Sequence, residues 1–556
     1  MRRWLCPALV PSLLLALAAG APARADDPAM DTDAAVVPGQ LAPRLQTLGS
    51  HAHAITTSSP RAQLFFNQGL ILAYGFNHRE AARSFREVVR LDPTAAMGYW
   101  GQALVLGPNI NAPMAPEDEA KAWALIEQAR SVAASVSPAE RDYIEALAAR
   151  YSSDPEPDRA ALDQAYADAM RGLHEAHPDD LDAATLYAES LMDLSPWDYW
   201  TVDGVPYART TEILSVLEAV RAVDSKHPGA NHFLIHATEY AEPERAEAAA
   251  DDLVNVAPGA GHLQHMPGHI YSRIGRYADA SAANDRAIAA DEDYIVACRA
   301  QGVYPLAYYP HNLHFLWWTS GIEGRSEVSI ASARKVVEKT VPFLDQLPAF
   351  GKVFPASLPF ALARFGRWDE ILSEPLPDAK HPFWRGAMHY ARGLAFARKG
   401  RLAEAYGERA AIEALEASPG ADQLAIGASN LAQLLQVAAV TLDGEIAGAE
   451  GRYERAVETL HRAVLLQDLL PYNEPPDWYF PVRQSLGAVL LDAGRPAEAE
   501  AVYWDDLKQN PRNGWSLFGL AQAQRAQGKD EQAALAERRF QRAWEAADVE
   551  LSASRF

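Results

Sequence analysis

The strongest constraint in this 556-residue chain is a recurrence every 34 residues, in which small residues and large apolar ones return at fixed offsets. Residues 480–513 carry Leu486, Gly487, Leu490, Gly494, Ala499, Tyr503 and Pro511, and residues 514–547 follow at once with Leu517, Leu520, Ala521, Gly528 and Ala533. A unit beginning near Ala62 brings Phe65, Gly69, Leu72, Ala81, Phe85 and Pro93 to the corresponding places. A segment this short cannot bury its own apolar face, so the recurrence calls for stacked neighbours that share one continuous core. Apolar residues three or four apart make the elements helices, and the Ala, Leu, Glu and Arg content favours them.

The pattern resembles the tetratricopeptide repeat. In that family two antiparallel helices form each unit, small residues at repeat positions 8, 20 and 27 let them approach, and large apolar ones at 4, 7, 11 and 24 fill the gap. Gln68 and Val88 depart from it at positions 7 and 27. Further units read at 228–260, 261–294, 310–343 and 386–419, while helical segments at about 117–134, 138–151, 159–176 and 180–194 are irregularly spaced. The resemblance implies an all-α fold, an α-solenoid of helix pairs whose concave face is lined by each unit's first helix. The chain also looks like larger secreted bacterial proteins of that class that carry a His-Met-Pro-x-His stretch, a likeness that implies no assigned reaction.

The expected organisation is a signal peptide at 1–25, an extended lead-in at 26–60, an N-terminal repeat region with a histidine cluster at 61–345, and a C-terminal repeat region at 346–556. Arg2 and Arg3, the apolar run Leu5 to Ala19 and the small-residue site Ala23-Arg24-Ala25 read as a Sec-type leader, which places the protein in the periplasm or outside the cell. No later stretch has the ~18 apolar residues of a membrane span. Removing that leader takes three arginines from a formal charge of −23, leaving −26. Such a balance repels phosphate backbones and anionic membrane surfaces, so nucleic acid is excluded as a partner and cations are welcome. Only Cys298 remains after cleavage, and it reads as a small buried apolar residue.

Histidines carry the chemistry. Taking Gly275 as the inter-helix glycine at repeat position 15 puts His262, His265 and His269 at positions 2, 5 and 9, and the i, i+3, i+7 spacing by itself demands one helix face. The same rule at Gly324 puts His311 and His314 at positions 2 and 5, and His232, His236 and Glu239 follow one another at i, i+4, i+7. Imidazole suits zinc, copper and iron, and a site needs three or more convergent donors. The first choice of metal ligands is His232, His236, His265 and His269, with Glu239, His262, His311 and His314 as alternates. Pro267 interrupts this stretch, and a proline inside a helix costs about 3 kcal/mol, so a kink there would displace His262.

Two loops are longer and richer in amides and aromatics than a helical connection requires. Asn109 and Asn111 in one, and Trp197 and Trp200 in the other, are candidates for roofing the groove and binding a small polar ligand. Glu239 and Asp198 are the candidate proton acceptors if a metal with an open coordination position makes the protein an enzyme. The opposing hypothesis is an interaction scaffold that binds a peptide or partner helix in the same groove. No phosphate-cradling glycine loop, dinucleotide fingerprint, nucleophile elbow or HExxH zinc-protease pattern is present.

Overall fold

The computed structural model describes residues 39–154, 156–298 and 304–556, so the expected signal peptide lies outside the described residues. The chain divides into two compact units, one ending at Asn312 and the other running from Leu313 to Phe556. Both are tandem arrays of helix hairpins, and the one short β-ribbon among the described residues pairs Ala425–Ile426 with Ser429–Asn430. No helix of the described residues is long and apolar enough to cross a membrane.

Local chemistry explains where the helices begin and turn. Ser59 caps Pro60–Tyr74, the reciprocal Ser137/Glu140 pair caps Pro138–Ala148, and Asp180 accepts from the first amides of Leu181–Asp193. Hairpin turns close by one recurring bond: the amide of Arg276 reaches the carbonyl of Tyr271 at 2.7 Å, and Arg495 reaches Leu490 at 2.8 Å. Between them Gly275 and Gly494 stand at φ of 79° and 71°, a conformation that glycine adopts without a Cβ penalty.

Packing between hairpins follows the same 34-residue rule. The buried ring of Phe85 lies where a Cβ on Gly69 or Gly101 would fall 2.6 or 2.5 Å from it; Tyr503 stands in the same way between Gly487 and Gly519, with the same spacing of sixteen residues on each side. The two departures from the repeat are accounted for. Val88 keeps its bulk because Gly98 faces it, and a Cβ there would meet Val88 at 2.9 Å. Gln68 accepts the amide of Leu45 and donates to the Pro43 carbonyl, both at 2.9 Å, so it holds the lead-in.

That lead-in has no helix between residues 39 and 59 and lies along the N-terminal unit's own helices. Glu87 accepts the amide of Leu41, Gln63 that of Ile55, Glu140 that of Thr56, and Thr47 accepts the amide of Gly259. In the C-terminal unit the last residues behave alike. Asp548 takes the amides of Ser326 and Glu327, Ser554 donates to the Gln484 carbonyl, Arg555 pairs with Glu445, and Phe556 packs edge-on to Trp515. The loop at 471–479 is a staple: Asp477 accepts from the amide of Ala428 and the hydroxyl of Ser429, while Trp478 and Tyr479 pack on Phe360.

Candidate metal centre

Six of the seven candidate histidines come together inside the N-terminal unit, on three helical stretches. Pro228–Thr238 carries His232 and His236 one turn apart, and Gly261–His265 with Pro267–Arg273 carries His262, His265 and His269. Tyr309–Ile322 carries His311. Pro267 does not displace His262. Met266 between the two short helices has helical dihedrals and its amide still reaches the His262 carbonyl, so proline occupies the first position of a restarted helix where its missing donor costs least.

The six sort into two groups whose nitrogens lie within 4.8 Å of one another: His232, His236 and His262, and His265, His269 and His311. This corrects the expected shell of His232, His236, His265 and His269, because each helical pair closes with a histidine from a different element. His314 is also corrected. It belongs to the C-terminal unit, where its ring packs on Trp317 and Phe354, and burial pushes it down to about 3. Its i+3 relation to His311 was satisfied on the helix, but its neighbours are aromatic carbons.

Hydrogen-bond acceptors fix how the rings are turned. His232 presents Nδ1 to the carbonyl of Tyr74 at 2.5 Å, and His236 presents Nδ1 to Glu239 Oε1 at 3.2 Å. His265 presents Nδ1 to Asn284 Oδ1 at 2.7 Å, an assignment held by the Asn284 amide donating to the Ala280 carbonyl. His269 presents Nδ1 to Glu239 Oε2 at 2.9 Å. Oxygen acceptors require the proton on each Nδ1, which leaves Nε2 with its lone pair. In the first group those Nε2 atoms of His232 and His236, and both ring nitrogens of His262, are buried without a hydrogen-bond partner. In the second, Nε2 of His265 and of His269 face each other at 2.8 Å, a separation that two lone pairs hold only with a cation, proton or metal, between them.

Burial works against the charged form of four of these rings. Desolvation, followed by the neighbouring imidazoles, holds His232, His262 and His265 well below the usual histidine range, and His236 is lowered by desolvation against the pull of Glu239. Neutral imidazole is the form that binds metal. Glu239 is buried, which alone would raise it, but His269 and His236 bring it down to about 2. Its two oxygens lie against a histidine of each group, 3.2 Å from Nδ1 of His236 and 2.9 Å from Nδ1 of His269, the position of a carboxylate that orients metal-binding rings. Asp198, the other candidate acceptor, is exposed.

The two loops reach the site unequally. Trp197 sets its ring edge-on to His236 at 5.1 Å and is 44% exposed, so it forms the solvent side of the first group. Asn111 is one step removed, 3.4 Å from the hydroxyl of Tyr308, whose ring stands 4.7 Å from that of His262. Asn109 and Trp200 are structural: the first accepts the Asn111 amide within its own turn, and the second spends its N–H on the Ala237 carbonyl at 2.7 Å. Beneath His262, its amide donates to the hydroxyl of Tyr304, which in turn donates to Asp291 at 2.8 Å. Gly261 is required there because a Cβ would fall 1.8 Å from Asp291.

One residue of the site was not singled out from sequence. Phe76 occupies repeat position 15, where Gly275 and Gly494 stand in other units, and it adopts φ 54°. A bulky residue in that region is strained by about 1–3 kcal/mol. Its ring lies 4.6, 6.1 and 5.6 Å from His232, His236 and His262, so the strained turn delivers an aromatic lid to all three. The departure from glycine in the sequence was the available signal. Replacing Phe76 by glycine relieves the backbone but empties a buried ring site that costs about 3–5 kcal/mol. The expected net result is a loss of about 2 kcal/mol in a urea titration, together with faster proton exchange at the His232 and His236 amides.

A second cluster in the same unit gathers on one buried carboxylate. Asp182 accepts from Tyr74 at 2.6 Å, His51 at 3.0 Å, His53 at 2.9 Å and His227 at 3.2 Å. His227 caps Pro228–Thr238 by accepting the Ala230 amide on Nδ1. Its proton is therefore on Nε2, toward Asp182, and the ring has no lone pair to offer a metal there. The cluster is a clamp for the lead-in.

No family model and no curated protein matches the chain. Among solved structures it is similar to a human IFIT1 dimer with m7Gppp-AAAA, at 12% identity over 88% of this chain and 91% of that one, with a TM-score of 0.28. The TPR domain of P58(IPK) gives 12% identity over 84% and 99%, with 0.24, and the APC/C hetero-tetramer Cut9-Hcn1 gives 12% over 88% and 96%, with 0.25. Read from the chain's own residues, the tandem helix hairpins and their 34-residue spacing make its architecture a tetratricopeptide-type helical repeat.

Proposed function

We propose that this is a metal-binding helical-repeat protein whose buried histidine centre holds a transition metal. The observation that carries the reading is the set of partnerless buried nitrogens, Nε2 of His232 and of His236 and both nitrogens of His262. A buried polar atom without a partner costs about 1–3 kcal/mol, and here the three rings that carry the orphans each bring a nitrogen within 4.8 Å of the others. Outer acceptors that turn Nδ1 away and leave Nε2 converging are the arrangement that metal-binding histidines use.

The interaction-scaffold reading draws on the same fold. Against it stands the lead-in, whose backbone already takes Gln63, Gln68 and Glu87 along the N-terminal unit's helices as a bound peptide would. Elemental analysis of the purified full chain tests the proposal. Stoichiometric zinc, copper or iron is expected, falling to background when His232, His236, His265 and His269 are replaced together by alanine while the helical circular dichroism persists. A wild-type protein that takes up none of these ions returns the reading to a plain scaffold.

A further inference from the structure

We infer that the centre is built for two ions, not one, and that its donor set selects copper(I): His232, His236 and His262 hold the first ion, and His265, His269 and His311 the second. The inference rests on the metal-binding reading above and specifies its stoichiometry and its metal.

Division into two is a matter of geometry. Six imidazoles exceed the four ligands of a tetrahedral ion, and among the described residues no group of three converging donors mixes histidines of the two sets. Within each set one nitrogen of every ring lies within 4.8 Å of the others, a range that includes the ~3.3 Å edge of a site with metal–nitrogen bonds of about 2.0–2.1 Å. The sets are nonetheless adjacent. The rings of His236 and His269 are 5.9 Å apart, as are those of His262 and His265.

Glu239 joins them. One oxygen faces Nδ1 of His236 in the first set and the other faces Nδ1 of His269 in the second, so a single carboxylate orients a ligand of each ion. An outer acceptor of this kind is worth about 10–100-fold in metal affinity, and here that effect falls on both ions at once.

The choice of metal follows from charge. Each set offers three imidazoles and no thiolate, and the oxygens of Glu239 lie against Nδ1 of His236 and of His269. Two dications bring four positive charges into a dry interior and two copper(I) ions only two, and uncompensated buried charge is what an interior tolerates least.

The test loads the full chain anaerobically with copper(I), removes the excess, and measures copper per chain beside the circular dichroism of each sample. Two copper ions are expected in the wild type, one in His232→Gln/His236→Gln, and one in His265→Gln/His269→Gln. Glu239→Gln should weaken both ions by about 10–100-fold. Because glutamine keeps much of the ring's volume, these variants preserve packing; His262→Ala and His311→Ala serve as a second pair, each expected to weaken one ion alone. A single ion in the wild type that either double variant abolishes overturns the two-ion inference and leaves the metal-binding reading intact. Two zinc ions retained in competition with copper(I) overturn the choice of metal, and no bound ion of either kind sinks the underlying reading itself.

Discussion

Stripping the metal from the loaded protein with a chelator should lower the melting temperature of the unit that carries the histidines by about 5–10 °C. An ion present at a hundred times its dissociation constant adds about 2.7 kcal/mol to the folded state, and 1 kcal/mol moves the midpoint of a unit of this size by about 2–4 °C. The apo protein is left with the buried nitrogens of His232, His236 and His262 unpaired, and Nε2 of His265 and of His269, 2.8 Å apart, are left to share a proton. Calorimetry with and without chelator, followed by re-addition of the ion, measures the effect. A midpoint that stays put under both treatments removes the thermodynamic ground for the centre.

The second large effect is expected at Asp182. Replacing it with alanine strands the phenol of Tyr74 and the imidazoles of His51, His53 and His227, all of which donate to it. Removing one partner from a buried charged cluster costs about 3–5 kcal/mol, or a fall of about 10 °C or more in the midpoint. The segment 39–59 should then be cut by protease far faster than in the wild type.

The same clamp has a defined pH window. Burial would raise Asp182, but hydrogen bonds from His227, His51 and His53 hold it well below the carboxylate range. Its contribution is therefore present above about pH 4 and lost as pH falls through its lowered folded value. His53 is lowered by desolvation and raised more by Asp182, with Asp180 and Glu140 adding to the rise, and the net shift is upward. Its contribution is complete below about pH 6.5 and lost as pH rises through the raised folded value. The lead-in is thus gripped hardest between those limits. Hydrogen exchange across 39–59 should quicken, beyond the intrinsic rate, between pH 6 and pH 8.5; an unchanged protection factor there refutes the clamp.

Much of this was legible in the residues because it is local. The 34-residue spacing dictated helix pairs, since Gly69 and Phe85, or Gly487 and Tyr503, meet within one hairpin. Spacings of three and four placed His232 with His236, and His265 with His269, on single helix faces whatever the fold. His314 shows the limit of that logic, because a helix face says which residues are neighbours along the axis and nothing about what lies opposite. Glu239 was recognised as part of the site, but its role changed once two Nδ1 atoms from different helices were found on its oxygens.

By itself the sequence determined the repeat architecture, the faces on which histidines gather, and the loops that border them, all consequences of helix periodicity and of which residues tolerate close approach. Only the tertiary structure decided how six imidazoles divide into two sets, which nitrogen of four of them is turned to an oxygen acceptor, and that Phe76 departs from glycine to lid the first set. It also decided that His51, His53 and His227 share Asp182 across more than a hundred residues of chain or a helix boundary. The physical reason is the same throughout: a tautomer, a buried orphan and a charge partner depend on atoms brought together from distant positions, and no periodicity along the chain records which distant atom will arrive.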